Sequence, residues 1–190
     1  MFNIATNTIA KPQVNTINNE LSYLISNVGM QTIFSNVPGS FARFNLPLVE
    51  KIANYGPSAV PQIVNLLNKT NRDTVIAEGA LVAQKLAEQK VTGYEQLYAP
   101  LARHASHPCP VVQVMIAGAL RNIGEPSAVG PLSRMLYNNM HYPPNYFTFD
   151  PAEEIAGSLI ELIAQRSAVN TVKMLEPRLQ NIEKKLDIKA

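Results

Sequence analysis

Three side chains that can bind a transition metal lie close together in the stretch His104-Ala-Ser-His107-Pro-Cys109, and His141 is the only other histidine. Zinc needs about four ligands at tetrahedral geometry. The prolines on both sides of Cys109 make a rigid turn that directs these side chains apart. We therefore favour a loop between two helices with a buried thiol, and we expect no metal site and no resident cofactor.

Asp150, Glu153 and Glu154 form the densest acidic group. Paired carboxylates catalyse proton transfer when burial separates their pKa values. Helix capping explains two of them without chemistry, because Asp150 precedes Pro151 as an N-cap and Glu153 lies at the capping-box position. No nucleophile, base and orienting group can be named together, so we predict no catalytic residue and leave enzymatic activity open.

The segment at 137–149, YNNMHYPPNYFTF, contains two adjacent prolines that exclude a continuous helix. Its aromatic residues are Tyr137, Tyr142, Tyr146, Phe147 and Phe149. Rigid aromatic side chains on a loop give a large contact area at a small entropic cost, as recognition surfaces do. The alternative is a loop that folds back and covers apolar surface at the last repeat. The residues alone favour neither.

A net charge of +2 and a charged fraction of 16% give no broad cationic field of the kind that nucleic acids require. Five basic residues spread over separate helices would suit phosphates or an acidic peptide if they aligned along one face. They are Arg72, Lys85, Arg103, Arg121 and Arg134. We expect them instead on solvated faces mixed with acidic residues, and we do not expect nucleic acid as a partner.

The single cysteine excludes an internal disulfide and is compatible with a reducing compartment. No stretch reaches the roughly 18 apolar residues of a membrane span. The N-terminal stretch also lacks the cationic and apolar regions of a signal peptide. These features predict a soluble, cytoplasmic protein without a membrane span.

Helices must position these residues, because the chain repeats a pattern of helix, turn and helix. The stretch at 112–136 predicts a helix, a turn at 124–126 and a second helix. Its segment 116–120, IAGAL, is similar to the segments at 76–81 and 155–159. The segment SAV at 127–129 recurs at 58–60 and 167–169. A helix pair that cannot bury its own apolar face must stack on its neighbours, so the sequence predicts an α-solenoid.

Four starting points, Ser58, Gly93, Ser127 and Ser167, lie 35, 34 and 40 residues apart. Apolar residues recur five and eight places after each start, as Ile63 and Leu66, Tyr98 and Leu101, Leu132 and Met135, and Val172 and Leu175. The pattern predicts helices over about 46–55, 73–89, 110–123 and 151–165, with a last helix at about 168–186.

We expect a flexible N-terminal arm at 1–14 and a single domain at 15–190. Within the domain, an irregular first repeat occupies 15–56. Repeats occupy about 57–166, interrupted by the aromatic insertion, and a C-terminal cap occupies 167–190. Charged residues near the end of the cap suit a terminal repeat on which nothing stacks.

The best copy of the motif combines an Ala-Leu helix, an Ile-Gly-acidic-Pro turn and a helix that opens with Ala-Val, as seen in Ala119-Leu120, Ile123-Gly124-Glu125-Pro126 and Ala128-Val129. This motif resembles HEAT repeats, and more closely the short HEAT-like repeats of phycobilisome lyases and bacterial scaffold proteins, over about 58–175. The family often carries an Arg early in the second helix, where this chain has Thr74, Gln113 and Ala152. The resemblance implies an all-α, right-handed α-solenoid of about four HEAT-like helix pairs plus a C-terminal capping helix, stacked mainly by apolar packing.

The repeat predicts a non-enzymatic scaffold that binds a protein or peptide partner through a groove formed by its second helices. The residues expected to face the partner are Glu78, Lys85, Gln113, Arg121 and Glu154, together with Tyr142, Tyr146, Phe147 and Phe149 of the aromatic insertion. Two alternatives stay open. One is an accessory or lyase-like subunit that holds a tetrapyrrole in a pocket lined by Tyr and His, and the other is a nucleic-acid-binding protein. The residues do not predict the oligomeric state.

Overall fold

A computed structural model describes residues 12–34, 42–140 and 150–187. These residues form eight α-helices and one isolated antiparallel bridge between Ile33 and Arg43. The helices are α1 (Pro12–Ser26), α2 (Leu46–Ala53), α3 (Val60–Lys69), α4 (Asp73–Glu88), α5 (Tyr98–Arg103), α6 (Pro110–Ile123), α7 (Val129–Asn139) and α8 (Pro151–Asp187). None of the described helices is long and apolar enough to span a lipid bilayer. The all-α prediction is confirmed for this part of the chain.

The helices lie in two rows. In one row α2 contacts α4, α4 contacts α6 and α6 contacts α8, while α1, α3 and α5 contact one another in chain order in the other row. Across the rows α3 packs on α4, α5 on α6 and α7 on α8. One continuous core therefore runs between the rows. Its largest fully buried side chains are Leu21, Ile52, Ile63, Leu67, Ile76, Leu86, Leu97, Leu101, Ile116, Leu120, Leu132 and Met135.

Helix α4 lies at the centre of this core and is buried on nearly every side, because α2, α3 and α6 all pack against it. In the second half of α4, the partly or fully exposed residues are Leu81, Gln84, Lys85 and Glu88. Spacings of three and four residues place them on one stripe of the helix. Three of these four residues are polar, so the stripe marks the side of α4 that faces solvent.

The turn that sequence predicts at 124–126 is present. Helix α6 ends at Gly124, whose φ of +75° lies in the left-handed region that favours glycine, and the Gly124 N–H donates to the Leu120 carbonyl at 3.2 Å. Three of the four predicted repeats also bury their marker positions. Ile63, Leu101, Leu132 and Met135 are fully buried, and Leu66 and Tyr98 are partly buried.

The fourth repeat differs from the prediction. The structure has one helix, α8, where the sequence predicted a helix at 151–165, a turn and a capping helix at 168–186. The residues at 164–167, AQRS, contain neither the glycine nor the proline that ends α6, so nothing stops the helix. The Ser167 hydroxyl donates to the Ile163 carbonyl at 3.0 Å within the helix, and Val172 is 55% exposed.

Two predicted segments lie largely outside the described residues. Of the arm at 1–14, only 12–14 are described, and they begin α1 instead of belonging to an arm. Of the aromatic insertion at 137–149, only 137–140 are described, and the end of α7 includes 137–139. Tyr142, Tyr146, Phe147 and Phe149 are not among the described residues.

A proline at position 167 tests whether α8 is continuous. Within a helix, Ser167→Pro removes one backbone hydrogen bond and clashes with the preceding turn, at a cost of about 3 kcal/mol. We expect a loss of helical signal in far-ultraviolet circular dichroism and a nearly unchanged midpoint of global unfolding, because the side chains described beyond Leu162 are exposed. Ser167→Ala is the control. Unchanged ellipticity in the proline variant would indicate a turn at 165–167.

Candidate functional site

The even-numbered helices each present one polar stripe to solvent on the same side of their row. We call this surface the polar face and define it by Glu50 and Asn54 of α2, Gln84, Lys85 and Glu88 of α4, Gly118, Arg121 and Asn122 of α6, and Glu154, Gly157 and Glu161 of α8. The core helices α4 and α6 reach solvent mainly through these stripes. The polar face is therefore the surface on which four successive helices contribute side chains together.

A chain of hydrogen bonds and ion pairs connects three helices across the polar face. Lys85 Nζ lies 2.9 Å from Glu88 Oε2, and Asn122 Nδ2 donates to Glu88 Oε1 at 3.0 Å. Arg121 Nε donates to Asn122 Oδ1 at 3.1 Å, and Arg121 Nη1 lies 3.2 Å from Glu161 Oε2. Each exposed pair contributes only about 0–1 kcal/mol to stability. Their main effect is to hold long side chains in one arrangement.

The pKa of Glu88 reflects this arrangement. Partial burial alone would raise the pKa of Glu88, but the hydrogen bonds from Lys85, Gln84 and Asn122 outweigh it and lower the pKa. The hydrogen bond to Glu88 in turn raises the pKa of Lys85. Both groups are therefore held in their charged forms at neutral pH.

A cleft of about 500 Å³ lies at the α6–α8 end of the polar face. We call it the acidic cleft, and its lining residues are Arg121, Asp150, Glu153, Glu154, Gly157, Ser158 and Glu161. Four of these residues are carboxylates and one is a cation, which already pairs with Glu161. Asp150 Oδ1 accepts the Ala152 N–H at 2.8 Å, which confirms the predicted N-cap. The cleft therefore carries a clear excess of negative charge.

A second, smaller cleft of about 250 Å³ lies between α2 and α4. Its lining residues are Glu50, Ala53, Asn54, Lys85 and Gln89. Lys85 belongs both to this cleft and to the hydrogen-bonded chain that leads to the acidic cleft. The polar face thus links a cleft with one acidic and one basic side chain to a cleft dominated by carboxylates.

Of the five predicted partner-facing residues on the helices, Lys85, Arg121 and Glu154 lie on the polar face. Glu78 does not, because its side chain is 0% exposed. It accepts hydrogen bonds from the Gly29 N–H at 2.5 Å, the Asn45 N–H at 2.7 Å and the Thr32 hydroxyl at 2.9 Å. Glu78 lies almost two turns before Lys85 on the same side of α4, where the connection between α1 and α2 covers it. The prediction that Glu78 faces a partner is therefore wrong.

Gln113 is also buried, contrary to the prediction. Its Nε2 donates to the His107 carbonyl at 2.5 Å, and its Oε1 accepts from Asn139 Nδ2 at 2.5 Å. Asn139 Nδ2 also lies 2.7 Å from the Met135 carbonyl. This pair of amides joins the start of α6 to the end of α7. The sequence analysis did not identify Asn139, because the repeat pattern marks apolar positions and gives no signal for a buried amide.

The two histidines near Cys109 have structural contacts instead of converging on one point. His104 Nε2 lies 2.8 Å from the Leu67 carbonyl, while His107 Nδ1 accepts the Cys109 N–H at 3.2 Å. Within the described ranges, no group of three His, Cys, Asp or Glu side chains is arranged to hold a metal ion. Burial raises the pKa of the Cys109 thiol, so the thiolate is disfavoured at neutral pH.

The five basic residues do not form a row. Lys85 and Arg121 lie on the polar face and pair with carboxylates. Arg103 on α5 donates to Asn68 Oδ1, and Arg72 Nη1 lies 3.8 Å from the Met30 sulfur. Arg134 belongs to α7, in the other row of helices. This arrangement agrees better with the prediction of solvated faces that carry both charges than with a row of cations that binds phosphates.

Comparison of the chain with protein-family models, with curated proteins and with solved structures finds no match. The resemblance to HEAT-like repeats therefore stays a prediction that rests on the motif residues.

Replacing Glu78 tests its structural role. Hydrogen bonds to a charged acceptor contribute about 1.5–3 kcal/mol each, and an amide presents N–H groups to donors that need an acceptor. We expect Glu78→Gln to lower the free energy of unfolding by about 2–3 kcal/mol in urea titrations. Glu88→Gln, at an exposed position on the same helix, should cost less than about 1 kcal/mol. Equal losses in the two variants would contradict a special role for Glu78.

The pH dependence of stability tests the environment of His107. Burial lowers the pKa of His107, and its neighbour Asp73 opposes this effect only in part. A group with a depressed folded-state pKa contributes its full stability above the unfolded pKa of about 6.5, and this contribution is lost as the pH falls through the folded pKa. We therefore expect urea titrations to show a loss of stability as the pH falls below about 6.5.

The control for this prediction is His107→Asn. The Asn oxygen can take the place of Nδ1 in accepting the Cys109 N–H, but it does not titrate. The variant should lose less stability than the parent chain as the pH falls. Parallel pH profiles for the two proteins would contradict the prediction.

Proposed function

We propose that this chain is a right-handed solenoid of HEAT-like helix pairs that binds a protein or peptide partner along its polar face, as a scaffold and not as an enzyme. The observation that carries the proposal is the continuity of the polar face across α2, α4, α6 and α8, with an open cleft near each end. Such a surface suits an extended peptide, because successive helices can contact successive residues of the peptide.

The charges favour a partner segment that carries Lys or Arg at the acidic cleft. Glu153 and Glu154 are exposed there, whereas Arg121 is already paired with Glu161. A basic side chain entering the cleft would meet carboxylates whose charge it can neutralise, in positions that need no rearrangement of the core. Long-range electrostatic attraction would also raise the association rate, and added salt would weaken this attraction.

The aromatic insertion keeps its proposed part in recognition. Asp150 lines the acidic cleft and follows directly after Phe149 in the chain. In the sequence, the segment that contains Tyr142, Tyr146, Phe147 and Phe149 therefore ends one residue before Asp150, a residue that lines the cleft. Aromatic side chains next to a charged cleft would give a partner apolar contact area as well as ion pairs.

The two alternatives find less support. The clefts described above are lined by carboxylate, amide and basic side chains instead of the Tyr and His side chains expected for a tetrapyrrole pocket. The acidic cleft would repel the phosphates of a nucleic acid. A cytoplasmic location, in keeping with a scaffold role, stays part of the proposal.

Fluorescence anisotropy with labelled peptides of equal length tests the proposal. The panel contains peptides rich in Lys and Arg, peptides rich in Asp and Glu, and uncharged peptides. It therefore distinguishes charge recognition from nonspecific binding. We expect the basic peptides to bind, with an affinity that falls as salt increases. Glu154→Lys should raise their Kd by about tenfold, since it places a repulsive charge in the acidic cleft.

Glu95→Lys is the matched control, because Glu95 is an exposed acid in the turn before α5 and changes the net charge equally. Equal effects of the two substitutions, or no binding of any basic peptide, would contradict the proposal. The part of the aromatic insertion is tested separately. If Tyr142→Ala, Tyr146→Ala and Phe147→Ala together leave the Kd unchanged, the insertion does not contact the peptide.

A further inference from the structure

The last helix of the row has an apolar side that no described element covers. Helix α8 packs against α6 and α7 through Ile155, Ser158 and Leu162, which are buried. Ile160 points to the opposite side of the helix and is 66% exposed, and Ile163 lies on the flank between the two sides and is 47% exposed. Terminal helices of a repeat row normally carry a polar outer side, because nothing stacks on them. The row therefore does not end in a polar cap at this position.

The α1–α2 end of the molecule also exposes apolar side chains. Leu21 and Leu24 of α1, and Val28 just after the helix, are buried in the core, while Tyr23 lies on the opposite side of α1 and is 69% exposed. The connection between α1 and α2 and the start of α2 also expose large apolar side chains. We call this group the head surface, and it consists of Tyr23, Met30, Ile33 and Leu46.

Each of the two surfaces carries a charge of opposite sign. Ile33 and Arg43 face each other in the antiparallel bridge, so their side chains project from the same side of the backbone, and both are exposed. Glu153 is exposed two helical turns before Ile160 and lies on the same side of α8. We call Glu153, Ile160 and Ile163 the tail surface. An apolar surface with a cation thus lies at one end of the row and an apolar surface with an anion at the other.

We propose that the head surface of one copy of this chain binds the tail surface of a second copy. The α1–α2 end and the α8 end of one molecule cannot cover each other, whereas a second copy can continue both rows and bury apolar side chains from both partners. Arg43 of one copy then lies near Glu153 of the next. Because two different surfaces meet, the contact is heterologous and leaves a free head and a free tail at the ends of every dimer. Association therefore continues into longer chains or closes into a ring.

Sedimentation velocity over a range of protein concentrations tests this contact. The parent chain should show species larger than a monomer that increase with concentration. Ile33→Asp places a charge in the head surface, and Ile160→Asp places a charge in the tail surface. Each variant alone should remain monomeric, because the Kd of self-association rises by at least about tenfold. A mixture of the two should form a 1:1 dimer and nothing larger, because one intact tail and one intact head remain.

Val172→Asp is the matched control, because Val172 is equally exposed on α8 but points to a different side of the helix. It should associate like the parent chain. Circular dichroism of each variant excludes unfolding as the cause of a change. A parent chain that stays monomeric at all concentrations would overturn the proposal. So would a mixture of the two variants that stays monomeric, or a symmetric dimer that only one of the two substitutions disrupts.

Discussion

A charged side chain at the centre of an apolar helix must have its hydrogen bonds satisfied, because an unpaired buried charge costs several kcal/mol. Glu78 meets this requirement by accepting from Gly29, Thr32 and Asn45, and so it fixes the connection between α1 and α2 against α4. Gly29 allows the approach, since its φ is +74° and a Cβ there would lie 2.6 Å from the Val75 backbone nitrogen. The first two helices, and with them the head surface and one end of the polar face, depend on this arrangement.

The sequence predicts a helix correctly where repeated apolar positions occur next to a residue that caps or ends a helix. Gly124 ends α6 and Asp150 caps α8, and both follow from local chemistry that needs no knowledge of distant residues. Glu78 could not be placed in the same way, because its partners lie more than thirty residues earlier in a segment without a periodic pattern. The missing turn near Ser167 has a different cause. The sequence SAV is present there, but the Gly-Glu-Pro turn that follows α6 is absent, so SAV alone does not end the helix, which also continues through Pro177.

The same distinction explains the candidate site. Lys85, Arg121 and Glu154 share a stripe position that helical spacing predicts, whereas Gln113 is drawn into the interior by an amide on another helix. Within the polar face, single ion pairs contribute little stability. Their shared hydrogen bonds through Glu88 and Asn122 instead hold these side chains in one arrangement, which reduces their conformational freedom. The scaffold and the surface are therefore built by different residues on the same helices.

Helix α8 continues well beyond the core. Leu162 is the last residue described as buried, and α8 continues for 25 residues to Asp187, with Pro177 inside it. Gly157, in the wall of the acidic cleft, has no neighbouring atom within 4 Å of the place where a Cβ would stand. The residues of α8 that line the acidic cleft all precede Leu162, whereas the side chains described after Leu162 are exposed. Unwinding of the second half of α8 would therefore leave the walls of the acidic cleft in place.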